Sequence, residues 1–189
     1  MWKKMKKHII SIAGELASGK GATSRELMQM LNYGIYRNGE YFRKLAREMN
    51  MDITTFNEYA KSHPEIDIQI EKSAAEYAKN NDNFIIDARL GWYAVPESFK
   101  VYLTVDIDEA AKRAFYDENR KSTENFASIE EQKADMIKRY QLENERYFKL
   151  YNVHKEDLNN YDLVLDTTKL TPREVAERIK EAYEKWLVS

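Results

Sequence analysis

The chain has 189 residues, of which 30 are Lys or Arg and 32 are Asp or Glu, for a formal charge of −2. That length supports one domain with a real core and room for a small mobile part. The balanced charge gives no broad basic surface for nucleic acid, so any positive site is local. The lack of cysteine excludes disulfides and thiolate metal sites.

The first residues, "MWKKMKKHIISIAG", run from basic to apolar and then meet Gly14-Glu15 at once. They read as a solubilising start to a first strand rather than a cleaved signal. No apolar run reaches the roughly 20 residues of a membrane helix. A cytoplasmic protein without membrane or nucleic-acid partners, monomeric or weakly dimeric, is expected.

In chain order, His8–Ala13 is a short apolar run ended by glycine, a buried strand. Thr23–Leu31 has helical spacing. Tyr33–Arg37 is a short strand between turn signals. Glu40–Met49 places Tyr41, Phe42, Leu45 and Met49 on one helical face, and Thr54–Lys61 is a further short helix. Pro64 opens a longer helix, Glu65 to about Lys79, with acids at its N-terminus. Phe84–Asp87 and Phe99–Val105 are strands, and Asp106 or Asp108 caps the helix that follows. Lys121–Tyr151 is highly charged and mostly helical, and long for a simple crossover. Tyr161–Asp166 is the last strand, and Thr171-Pro172 opens a helix to about Trp186. Strands alternating with helices imply an α/β fold: five mainly parallel strands with helices on both faces and a helical lid.

Gly14-Glu15-Leu16-Ala17-Ser18-Gly19-Lys20 fits G-x-x-x-x-G-K. Glycines let backbone N–H groups curl around phosphate oxygens, the following helix N-terminus favours negative charge, and a lysine reaches the outer phosphates. The loop has a strand before it and a helix after it. Gly14, Ser18, Gly19, Lys20, Gly21 and Ala22 are therefore the candidate nucleotide-binding residues. Gly21 stands where Ser or Thr commonly touches magnesium. Thr23 and Ser24 lie further on, and Glu15 suits the loop only if its side chain points outward.

Four further segments carry a resemblance. They are "NGEYFRKLAREMNMDITTFNEYAKSHPEID", "FIIDARLGW", "RYQLENERYFKLYNV" and "YDLVLDTTKLTPREVAERI". Together with the loop, in this order and spacing, they resemble the nucleoside monophosphate kinases, and within them the cytidylate kinases. The resemblance covers nearly the whole chain. Glycine after the lysine is usual in that group; the departure is Ala22, where a threonine contacts phosphate.

The resemblance implies an enzyme that uses ATP and Mg2+ to phosphorylate CMP or dCMP. It implies one kinase domain with acceptor-binding helices over about 38–80 and a lid over about 119–151. It assigns the acceptor phosphate to Arg43, one turn after Gly39-Glu40, and to Arg89, counts Gly39 among the acceptor-binding residues, and gives magnesium contact through water to Asp87. Arg139 and Arg146, which share a helical face with Glu143, close over the moving phosphoryl group, and Arg113 acts at the start of the lid. Arg120 is a weaker candidate. Asp67 falls on the acceptor side, where an acid suits an amino-bearing base. Arg37-Asn38 stand where the group often has Ser-Ala. Thr168, in Asp166-Thr167-Thr168, lies by resemblance near the donor base.

The bland readings are a solvated Arg–Glu–Arg surface at 139, 143 and 146, helix-start or turn roles for Asp67 and Asp87, and structural roles for His8, His63 and His154. The rivals for function are a kinase for AMP, UMP or a small metabolite, and a nucleotide-binding regulator without turnover.

Overall fold

Each apolar run read as a strand is one. The computed structural model describes residues 6–51, 53–118 and 126–189. In it β1 (Ile9–Gly14), β2 (Gly34–Arg37), β3 (Phe84–Asp87), β4 (Phe99–Thr104) and β5 (Leu163–Asp166) form one sheet. The strand order is β2-β3-β1-β4-β5, and all four pairings are parallel. Central β1 is covered on both faces, which is why its sequence is a continuous apolar run rather than an alternation.

Alternate side chains of β1 serve opposite layers. Ile10 and Ile12 pack with Leu27 of α1 (Lys20–Leu31) and with Val175 and Ile179 of α8 (Pro172–Val188). Ile9 faces the other layer, with Ala78 of α4 (Pro64–Asn80), Phe84, Ile86 and Val95. α2 (Asn38–Glu48), α3 (Ile53–Lys61) and α4 have a core of their own in Leu45, Phe56, Ile66 and Ile70. α6 (Ile107–Tyr116) and α7 (Ile129–Tyr151) pair through Ala111, Ala114 and Met136, and that cluster also buries Leu16 and Ala17 of the phosphate-type loop.

Helix ends follow local chemistry. Asp106 caps α6 by accepting from the backbone N–H groups of Asp108 and Glu109. α8 opens with Pro172 behind a reciprocal Thr171–Glu174 capping box. α1 begins at Lys20, three residues before the apolar spacing starts, because Gly19 at φ 86° turns the chain directly into it. α5 (Gly91–Ala94) is a single turn, too short to show a helical period in sequence.

The order of strands reverses at β1, so the carboxyl ends of β1, β3 and β4 open onto one crevice, the usual ligand position in such sheets. Lys20, Asp87 and Arg89 leave the sheet at that edge, and α4 and α7 bring further charged residues to it. α2–α4 fill residues 38–80, and α7 fills most of 119–151. Arg120 lies outside the described residues. Among the described residues no helix is long and apolar enough to cross a membrane.

Candidate active site

The loop leaving β1 has no room for side chains at its first glycine. A Cβ on Gly14 would stand 2.5 Å from the carbonyl oxygen of Leu103. The next residue, Glu15, donates its N–H to that oxygen at 2.9 Å. Its carboxylate turns away from the loop's interior and accepts from the N–H of Val105 at 2.7 Å. An acid inside the glycine-rich loop is thus used as a strap to β4. Ser18 is buried, and its hydroxyl donates to Glu15 O at 2.8 Å, closing the loop on itself.

The far side of the loop is tied to β5. Thr167 is 1% exposed, and its hydroxyl lies 3.0 Å from Ser18 O and 2.9 Å from Thr104 O. Thr168 ties β5 to α6 instead. Its hydroxyl donates to Asp166 and accepts from the N–H of Asp106 at 2.9 Å. Arg113 donates to the carbonyls of Thr167 and Thr168 at 3.0 and 2.9 Å and pairs with Glu109. It braces the loop after β5 and is not among the leading charged neighbours of Lys20 or Arg89.

Lys20 opens α1 and reaches the crevice. Burial pushes its ammonium down, Asp87 and Glu143 oppose that push, and Arg89 and Lys155 add to it. These five residues come from four separate segments. Asp87 ends β3, and its Oδ2 lies 3.8 Å from where a Cβ on Gly21 would be and 3.9 Å from Arg37 Nε. Arg89 follows β3 directly and pairs with Glu143 of α7, whose other oxygen takes the Lys155 ammonium. Glu143 is 12% exposed. Burial pushes its carboxyl up, but Arg89, Lys155 and Lys20 together hold it below its ordinary range. The Arg89 side chain, by contrast, is 45% exposed.

Arg146, one turn beyond Glu143, faces Asp67 of α4 at 3.5 Å. Tyr147 is a close electrostatic neighbour of both Arg89 and Arg146, and the Arg146 guanidinium lies 5.3 Å from the centre of its ring. Burial pushes that phenol up to about 12, so it stays neutral. The Arg139–Glu143–Arg146 stripe is therefore not a self-paired surface. Glu143 turns to Arg89 and Lys155, Arg146 turns to Asp67, and Arg139 pairs back along the helix with Asp135 at 3.6 Å. Arg43 is exposed on α2, its guanidinium 3.8 Å from where a Cβ on Gly39 would stand. It is not among the leading charged neighbours of Asp67, Glu71 or Arg89.

Two charged residues of the group, Lys155 and Glu71, were not among the residues that the sequence singled out. Lys155 lies in the polar loop after α7, yet it is 4% exposed and sits 4.5 Å above the Tyr140 ring. Glu71, one helical turn beyond Asp67 on α4, is 8% exposed. Burial first, then the Asp67 carboxylate, pushes its carboxyl up to about 7.

The Glu71 shift has a stability consequence. Its folded-state value stands above the ordinary 4.5, so folding penalises the ionised form. The penalty is absent below about pH 4.5, grows as pH rises to about 7, and is constant above that. Glu71→Gln is expected to raise Tm more at pH 8 than at pH 4.5, by the equivalent of roughly 2–3 kcal/mol. Thermal melts of both proteins across that range check it; an unchanged Tm difference contradicts it.

No group of three His, Cys, Asp or Glu able to hold a metal occurs among the described residues. Asp87 beside the loop is instead a single hard-oxygen donor. That suits magnesium, which keeps several waters and takes one or two carboxylates together with substrate phosphates. Thr23 and Ser24 are fully buried in α1.

A family model described as the cytidylate kinase-like family matches residues 9–169. A cytidylate kinase of Thermoplasma acidophilum is 36% identical over 171 residues, which are 88% of this chain and 87% of that protein. An S-adenosylmethionine-dependent nucleotide dehydratase of Lacinutrix mariniflava is 31% identical over 177 residues; they are 93% of this chain and 36% of that longer protein. Among solved structures, shikimate kinase from Bacteroides thetaiotaomicron superposes with a TM-score of 0.67 at 14% identity, covering 96% of this chain and 98% of that one. At that identity the likeness is one of fold.

Proposed function

The chain belongs to the cytidylate kinase-like family, and from that premise we propose that it transfers the γ-phosphoryl group of ATP to CMP or dCMP. Its fold is that of the P-loop kinases, and the protein is a phosphotransferase. The observation that supports phosphoryl transfer is the gathering of Lys20, Arg89 and Lys155 around Glu143, and the choice of CMP or dCMP rests on the family likeness.

Phosphoryl transfer needs little covalent chemistry from a protein. It needs two polyanions in line, water excluded, and neutralising charge on the oxygens of the moving group. The Gly14–Ala22 loop and the α1 N-terminus would cradle the donor phosphates, with Lys20 on the outer ones. Arg89 and Arg146 stand on the acceptor side and would hold the acceptor phosphate and the group in transit. Arg43 would reach the acceptor phosphate from α2, and Arg139 would join the cover from α7. Arg113, through the carbonyls it holds, would shape the loop beside the donor base. No nucleophile is required of the protein, because the acceptor's own phosphate oxygen attacks. Asp87 would hold magnesium through water; when bound, the ion neutralises charge on the outer phosphates.

In the resting site Glu143 occupies the cations that a phosphate would otherwise take. An arriving polyanion would compete with Glu143 for the same guanidinium and ammonium groups, so the Glu143 contacts and phosphate binding are alternatives at one set of cations.

The test is an ADP-release assay with ATP and Mg2+ against CMP, dCMP, UMP, AMP and no acceptor. The expected result is kcat/KM for CMP or dCMP at least about tenfold above UMP and AMP. Preference for another monophosphate overturns the acceptor, and release at the no-acceptor rate with all of them overturns the kinase reading.

A further inference from the structure

Glu71 and Asn38 form a buried pair that the phosphate chemistry does not use. Asn38 opens α2 directly after β2, and its Nδ2 donates to Glu71 Oε1 at 3.2 Å. With Oε1 accepting, the amide presents Oδ1 away from the carboxyl, and a protonated Glu71 carries its proton on Oε2. The remaining atoms of the pair, Glu71 Oε2 and Asn38 Oδ1, are both buried with no partner among the described residues. Native interiors seldom leave such atoms unpaired, and two from one pair point to a missing hydrogen-bonding group.

The surroundings fit a flat, uncharged group rather than a second phosphate. Tyr36 of β2, Asp67 of α4, Arg89 after β3, and Arg146, Tyr147 and Tyr151 of α7 are the ionisable neighbours of Glu71. The two arginines already face Asp67, Glu143 and Tyr147. The Tyr151 hydroxyl is itself buried without a partner. Access needs α7 to part from α4 across the Arg146–Asp67 contact, a 3.5 Å ion pair between a half-exposed arginine and a largely buried aspartate.

We propose that Asn38 and Glu71 read the base of the acceptor, Asn38 Oδ1 accepting from an exocyclic amine and Glu71, as a carboxylic acid, donating from Oε2 to the adjacent ring nitrogen. The inference rests on the acceptor reading above and names the residues that would enforce it. Cytosine offers this pattern through its N4 amine and unprotonated N3. Uracil reverses both positions, setting donor against donor and acceptor against acceptor. Sites built on buried hydrogen bonds reject such analogues strongly. Adenine carries the same pattern on a larger ring system. With the Glu71 carboxyl poised at about 7, the donating form is the majority below that pH and declines above it.

The experiment is initial-rate kinetics with CMP, UMP and AMP at saturating ATP, from pH 6 to 9. It compares wild type with Glu71→Gln, Glu71→Ala and Asn38→Ala, each first checked for a cooperative melt. In wild type, KM for CMP rises toward tenfold per pH unit above pH 7. In Glu71→Gln, whose amide donates at every pH, that rise disappears and CMP turnover persists. Glu71→Ala raises KM for CMP by about 30-fold or more and Asn38→Ala by about tenfold, while KM for ATP stays within twofold. A wild type that prefers CMP, with a KM indifferent to Glu71→Ala and Asn38→Ala, overturns this assignment alone. Preference for UMP overturns both this assignment and the acceptor proposed above. Preference for AMP with the same dependence on Glu71 supports the pair and overturns cytosine. Should Glu71→Ala fail to fold, a Glu71→Gln pH profile that matches wild type is enough to reject the proposal.

Discussion

Lys20→Met is expected to lower kcat by about 10³-fold or more while the protein keeps its fold. Lys20 is the only cationic side chain of the Gly14–Ala22 loop, and the loop's one anion, the Glu15 carboxylate, is turned to the Val105 N–H. Removing one preorganised charged donor from a water-excluded transfer site costs on the order of 10²–10³ in rate, and an arginine acting on a transferring phosphoryl group accounts for about 10³–10⁵. The upper part of that range applies here because Lys20 is embedded among Asp87, Arg89, Glu143 and Lys155 rather than standing alone. Methionine keeps the length of the stem, so packing changes little. It also relieves burial of an ammonium, so Tm should not fall. Steady-state rates with a thermal melt on the same sample decide the matter. A loss of less than tenfold at unchanged Tm would remove Lys20 from the transfer chemistry.

Glu143→Gln is expected to be the most destabilising conservative change in the site. Glu143 is the shared counter-ion of Arg89 and Lys155 and lowers the potential at Lys20. Glutamine keeps the shape but leaves three cations facing one another. Breaking a buried pair costs about 3–5 kcal/mol; the partial exposure of Arg89 brings this nearer to about 2–3 kcal/mol, or a Tm lower by about 5–10 °C. The pH dependence has a definite sign. The folded-state value of Glu143 lies below its ordinary 4.5, so its contribution is present above that pH and fades as pH falls through the folded value. Wild type and variant should therefore converge in strongly acid solution. ATP supplies the missing negative charge and should raise the variant's Tm more than the wild type's. A Tm within about 1 °C of wild type at pH 7 contradicts this account.

The sheet was legible because its strands are short apolar runs bounded by glycine, proline or asparagine. The residues hanging from its edge were legible where they follow a strand or loop directly, as Lys20, Asp87 and Arg89 do. Spacing along α7 indicated that Arg139, Glu143 and Arg146 share a face, but not that Glu143 would turn to Arg89 and Lys155 and Arg146 to Asp67 while Arg139 pairs along its own helix with Asp135. Lys155 left no signal. A lysine in "NVHKEDLNN" is by default solvated; only the turn at Asn152, at φ 54°, and the packing against Tyr140 carry it inward. Glu71 left a faint one. It stands one turn from Asp67 beside the buried Ile66, Ile70 and Ala74, and a second acid beside an apolar stripe is costly without a partner. The sequence also could not tell that Glu15 points outward, since that depends on where β4 delivers the Val105 N–H.

The most direct test of the central claim follows the phosphoryl group itself, with ATP labelled on the γ-phosphate and CMP as acceptor. Label recovered in the β-position of CDP, in proportion to the ADP formed and lost with Lys20→Met, is the predicted result. Label recovered only as inorganic phosphate, at a rate independent of CMP, would contradict transfer between nucleotides at this site.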